Sequence, residues 1–255
     1  MESFLEPMVT KGLLVGARVS MLMVFAPFFG SGSIPVRIKT GLTVALAVLL
    51  YPSLHGRPEV LSSSNWVRIL IGEMAVGLVM GLAIQFVFEG ALVAGQIVGF
   101  QMGLSLETAI DPQTQVDSGV MSIFHQSIAL LIFLQLDVHH WILRGLAKSF
   151  EYLPPGMVVL TPATTTELFR AAGGMLLVGL QVAAPVMVAT FVTDISLGFI
   201  GKAAPQFPVV FTGISVKSLM GMLIVWGGVV LWPGVLESHF QSALVTAERL
   251  LHLAR

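Results

Sequence analysis

The chain has no cysteine, which removes disulfides and thiolate metal sites and leaves its redox compartment undefined. Charge is nearly as scarce. Thirteen Lys and Arg stand against 14 Asp and Glu in 255 residues, 11% of the chain, for a net charge of −1. Soluble domains carry about 25% charged residues, so there are too few here to clothe a water-exposed globule of this size. The lack of a basic excess excludes a field for nucleic acid. No HExxH occurs, so a zinc-protease site has no support. No glycine-rich phosphate loop follows a strand pattern; the many glycines lie in apolar helical stretches. No small-residue cleavage site follows the first apolar run, which is expected to stay in the mature protein.

What is present is apolar: 55% of residues, with a mean hydropathy of +0.90. The composition is that of an all-α polytopic integral membrane protein. Apolar segments are expected at 12–29, 34–54, 66–88, 90–106, 119–136, 171–193 and 218–236, followed by an amphipathic tail at 237–255. Residues 137–169 look the most water-compatible. A span needs about 20 apolar residues, and only the fifth, sixth and seventh segments meet that cleanly. Arg18 sits inside the first, and Glu89 divides the third from the fourth. A charge at the bilayer centre costs roughly 2.5–3.5 kcal/mol on insertion scales. Short, charged and glycine-rich segments therefore favour helices buried against protein rather than lipid. Lys and Arg are spread over nearly every loop, so the positive-inside rule sets no orientation.

The most informative stretch is Gly95 to Asp117. Ala91, Gly95, Gly99 and Gly103 recur every four residues, which on a helix places them on one face. Another backbone can approach closely there. Glu107, Asp111, Pro112, Gln113, Thr114, Gln115 and Asp117 then arrive within eleven residues. Pro112 lacks an N–H and biases Asp111 away from helix, so a close-packing helix is expected to stop at a polar turn.

Few residues suggest chemistry. Asp137 with His139 and His140 has the donors of a metal or acid–base site. Neighbours on a helix point about 100° apart, which is poor for joint ligation, so interfacial histidines beside Trp141 are expected and no metal. Asp111 and Asp117 read as loop polarity and capping rather than a carboxylate pair. Asp194 with Lys202 or Lys217 is the candidate proton relay, although Asp194 lies at the end of its apolar run. Met74, Met80, Met102 and Met121 could form a deformable seal or ordinary packing. A weak echo relates 26–37 to 204–217, and inverted repeats are common in transporters. A secondary transporter or proton-coupled permease, with Glu73, Glu89 and Asp194 as its acidic groups, is thus the rival class.

Gly99-Phe100-Gln101-Met102-Gly103, followed by Asp111-Pro112-Gln113-Thr114-Gln115-Val116-Asp117-Ser118, resembles the FliR family, the flagellar member of the type III secretion export apparatus. Phe133 to Asp137 with His139-His140-Trp141, Ser149-Phe150 through Pro154-Pro155-Gly156, Leu197 to Gln206, and the Pro27 to Arg37 region fit as well. The resemblance covers nearly the whole chain, and is closer to the flagellar branch than to the injectisome counterparts. It departs at Glu107 and Gly119, where the family often has a small residue and proline.

The resemblance implies a subunit that is no enzyme and needs no cofactor. It implies assembly with FliP and FliQ into a helical pore that passes unfolded flagellar cargo. The export components FlhB and FlhA would be nearby, at the bacterial inner membrane in the flagellar basal body. Residues 12–54 would be a FliQ-like hairpin and 66–236 a FliP-like part. A loop of the subunit would help plug the closed pore. The expected plug and seal residues are Phe100, Met102, Ser105, Glu107, Asp111, Pro112, Gln113, Gln115 and Asp117. Ala91, Gly95, Gly99 and Gly103 would form the packing face.

Overall fold

The computed structural model describes residues 2–30, 34–53, 66–104, 119–159, 161–206 and 208–254, with the backbone alone at 2–9, 53 and 210. Eight α-helices and one 3-10 turn account for most of these residues, and no strand occurs among them. The helices are α1 (Glu2–Phe25), α2 (Val36–Leu50), α3 (Trp66–Gln101), α4 (Val120–Gln135), α5 (Val138–Tyr152), α6 (Pro162–Ala203), α7 (Val209–Gly228) and α8 (Trp232–Leu253). The all-α architecture is the one expected from composition.

The boundaries differ from the apolar runs in three places. α3 runs unbroken through Glu89, where two segments were expected. A charge costs desolvation where it meets hydrocarbon, but it does not interrupt the backbone ladder, and Glu is a good helix former. α6 takes in both charges that bounded its apolar run, Arg170 and Asp194, and continues through Pro185. The expected span 218–236 is instead the end of α7 and the start of α8. Gly227-Gly228 weakens the helix, and the ring of Pro233 would clash with the carbonyl four residues back were the helix continuous. Pro233 is tolerated because it lies in the first turn of α8.

By length and composition, three helices could cross a membrane among the described residues: α3, α6 and Phe211–Gly228 of α7. α4 and α5 together, bent by 65° at their junction, make a fourth candidate. α4 alone has only 16 residues.

The chain divides into two compact units. The first comprises Met1–Phe86, Phe133–Gly173 and Phe240–Arg255. α1 turns Leu14, Val15, Arg18, Val19 and Leu22 inward. α5 is amphipathic: Val138, Ile142, Leu146, Ser149 and Phe150 are buried at helical spacing, and His140, Arg144, Lys148 and Glu151 face out. α2 packs on α1, yet buries no residue of its own. The last turns of α8 are docked, with Phe240, Leu250 and Leu251 buried. The Val159 N–H donates to the Ala254 carbonyl at 2.9 Å, and Arg249 reaches Glu167 at 3.3 Å.

The second unit comprises Val87–Ile132 and Gly174–His239. Here small residues bring helices together. A Cβ added at Gly90 would stand 2.7 Å from Val178, and one at Gly179 would stand 2.9 Å from Val93. α3 and α6 therefore cross at a pair of glycines. Large apolar side chains on the rest of α6 and on α7 remain exposed, Phe191, Phe199, Phe211 and Trp226 among them.

Candidate functional site

The C-terminal end of α3 lies in the second unit, and it carries the stripe expected from sequence. Ala91, Gly95 and Gly99 are all buried. Gly95 is the tightest point: any added Cβ would collide with Ser122 Cα and approach the Met121 carbonyl on α4. Gly103 has another duty. Its φ of +77° is left-handed, a region glycine enters without steric cost. The Leu104 N–H donates to the Gly99 carbonyl and the Gly103 N–H to the Phe100 carbonyl, both at 3.0 Å. This six-to-one and five-to-two pair is the Schellman arrangement that satisfies a helix's last carbonyls.

Phe100 and Met102 face differently. Phe100 is 75% exposed, whereas Met102 is 1% exposed. The Met102 thioether lies over Gly221 of α7, with Sδ 2.8 Å from where a Cβ would be. The Ser218 hydroxyl donates to the Met102 carbonyl at 2.7 Å. Met102 thus fastens the end of α3 to α7, and Phe100 is left exposed. Ser105, Glu107, Asp111, Pro112, Gln113, Gln115 and Asp117 lie outside the described residues.

The first unit holds a cluster that the sequence displays only as isolated charges. Arg18 and Glu73 are completely buried and paired, Nη2 to Oε2 at 2.6 Å and Nε to Oε2 at 2.8 Å. Arg18 also donates to Ser149 Oγ and to the Leu153 carbonyl, each at 3.0 Å. Its guanidinium carbon sits 4.2 Å from the centre of the Phe150 ring. The other carboxylate oxygen of Glu73 accepts the Gly156 N–H at 3.2 Å. The Ser149 hydroxyl passes its own proton to the Leu146 carbonyl. The cluster ties α1, α3, α5 and the turn after α5 into one node. Removing one partner of a buried pair costs about 3–5 kcal/mol, since the other charge is then stranded. With both carboxylate oxygens engaged and no exposed face, the pair suits clamping rather than proton exchange.

The remaining candidates separate. Asp194 pairs with Lys217, not Lys202, across α6 and α7; Asp194 is 48% exposed. Asp137, His139 and His140 converge at the α4–α5 junction. In α8, which is not among the candidate spans, His239 meets Gln181 Oε1 at 2.7 Å, and burial holds its pKa below the usual imidazole value.

Arg18 and Glu73 were each visible as a charge in an apolar run. No periodicity links positions 55 residues apart, so only the weak signal of opposite signs on two apolar helices could have paired them.

Comparison with known proteins covers most of the chain. Residues 9–243 match the family model described as bacterial export proteins, family 1. The flagellar biosynthetic protein FliR of Bacillus subtilis (strain 168) is 30% identical over 248 residues, covering 94% of both chains. FliR of Escherichia coli (strain K12) is 29% identical over 205 residues, covering 80% of this chain and 78% of its own. FliR of Pectobacterium carotovorum is 31% identical over 206 residues, covering 81% and 79%. With the family pattern running from within α1 into α8, this chain belongs to the FliR family of bacterial export proteins.

Proposed function

We propose that this chain is a subunit of the flagellar type III export gate, forming with FliP and FliQ the membrane pore through which unfolded flagellar proteins leave the cell. One observation carries the reading: the match to FliR extends over 94% of both chains, and the family pattern over residues 9–243 reaches into every described helix. The physical chemistry is compatible with it. Exposed Phe191, Phe199, Phe211 and Trp226 need lipid or protein cover. No residue of α2 is fully buried within its own chain. Such faces suit a chain completed by other subunits.

In this reading the protein sits in the bacterial inner membrane at the flagellar basal body, near FlhA and FlhB, and performs no catalysis. Residues 12–54 act as a FliQ-like hairpin and 66–236 as a FliP-like part. Ser105 to Ser118 form or flank the pore plug, and exposed Phe100 contributes to the seal. Irregular backbone at membrane depth is tolerated where it lines a cavity.

Native mass spectrometry of the tagged chain, co-expressed with its membrane neighbours, tests the assembly. A hetero-oligomer containing FliP and FliQ is expected. A monomer or homo-oligomer indifferent to them would move the assignment to a permease. Deleting 106–116 tests the plug: ion leakage through the overproduced complex should rise, and unchanged conductance would remove the plug role.

A further inference from the structure

Three metal-ligating side chains meet where α4 gives way to α5. Asp137 Oδ1 lies 3.3 Å from His140 Nδ1 and 3.9 Å from His139 Nε2. One ligand atom from each residue lies within 4.8 Å of the other two. The imidazole centres are 4.1 Å apart, tilted by 40°.

The convergence has a backbone cause. Asp137 holds the N-cap position of α5 with φ 54° and ψ 27°, in the left-handed region. An N-cap aspartate ordinarily has an extended backbone, and its carboxylate accepts an N–H of the first helical turn. Asp137 makes no such bond. Its carboxylate instead faces the imidazoles of the second and third helical residues. Capping therefore does not explain where this carboxylate lies. Nor does burial force the groups together, since the Asp137 and His140 side chains are 67% and 57% exposed.

The donor set is one carboxylate oxygen and two imidazole nitrogens. It suits a divalent transition ion of borderline softness, Zn²⁺ before Mg²⁺ or Ca²⁺, which prefer all-oxygen shells. Tetrahedral zinc with bonds near 2.0–2.1 Å sets its ligand atoms about 3.3 Å apart. One pair already has that spacing, and rotation of the exposed Asp137 side chain can close the other. His139 Nδ1 is buried, which leaves Nε2 as the nitrogen available to an ion.

We propose that Asp137, His139 and His140 form a binding site for a divalent transition-metal ion, Zn²⁺ foremost, with water completing its shell. An ion there would cross-link the last residue before α5 to its first turn.

To test this, the full chain is extracted in mild detergent with the subunits that co-purify through a non-histidine tag. It is stripped with EDTA and titrated with Zn²⁺, and with Co²⁺ as a visible-absorption probe. One tight equivalent per copy is expected, with the d–d bands of Co²⁺ bound by nitrogen and oxygen. H140A and D137N should each weaken it by more than about ten-fold, the least that losing even an outer partner of a ligand can cost. Both changes are exposed, and asparagine tolerates the left-handed backbone, so helical content should be unaltered. H252A, outside the cluster, should bind as wild type. No tight equivalent, or equal uptake by wild type, D137N and H140A, would overturn the assignment.

Discussion

The Arg18–Glu73 node of the first unit and the α3 terminus of the second solve the same problem by opposite means. Each must hold apolar helices in one register where hydrophobic burial alone is indifferent to direction. The first unit uses a charge pair with directional bonds to α5 and the following turn. The second uses the absence of side chains: Gly95 against α4, Gly90 against Gly179, and Met102 laid over Gly221. A polar node is vulnerable to subtraction, because what remains is a buried charge without a partner. A small-residue contact is vulnerable to addition, because no space exists for another carbon.

That asymmetry orders the expected effects. The largest should come from Glu73→Ala, which strands Arg18 and should cost about 3–5 kcal/mol. Thermal melting in detergent should show it as a loss of folded yield. The paired change Arg18→Met with Glu73→Leu should recover most of that loss, since a well-packed apolar replacement of a buried pair is often neutral or better. If the double variant is as unstable as the single one, the node holds the units' helices by more than charge.

Next comes Gly95→Leu. Overpacking a closed contact costs about 1–3 kcal/mol, or more when backbone stands in the way, as Ser122 Cα does here. A lowered melting temperature is expected, and an unchanged one would mean that α4 can move aside.

The smallest effect on stability should follow Phe100→Ser. At 75% exposure the side chain gives the folded chain little, so melting should shift by no more than about 0.5 kcal/mol. Swimming through soft agar should nevertheless fall, because the proposed seal would lose its aromatic ring. Normal swimming would detach Phe100 from the seal.

Much of this was legible before any coordinates, and for identifiable reasons. α4 was expected at 119–136 and occupies Val120–Gln135, because polar residues and Gly119 bracket a clean apolar run. Glu89 was misleading because hydropathy reports the cost of a charge in lipid, whereas helix continuity depends on backbone bonds. The four-residue spacing of Gly95, Gly99 and Gly103 is real, but spacing cannot say which glycine packs and which ends the helix. That distinction lies in the +77° φ of Gly103. The closeness of Asp137 to His139 and His140 is not legible from helical angles, because Asp137 stands outside the helix with a left-handed backbone. A left-handed aspartate does not announce itself in a pattern of apolar residues.

The cap on α3 has a consequence for engineering. Leu104 and Gly103 close the Gly99 and Phe100 carbonyls of α3 onto its own chain. A peptide inserted directly after Leu104, a fluorophore-binding tag or a protease recognition sequence, would leave both of those bonds in place. The chain thus offers a grafting point where a reporter can be spliced without rewriting the helix that precedes it.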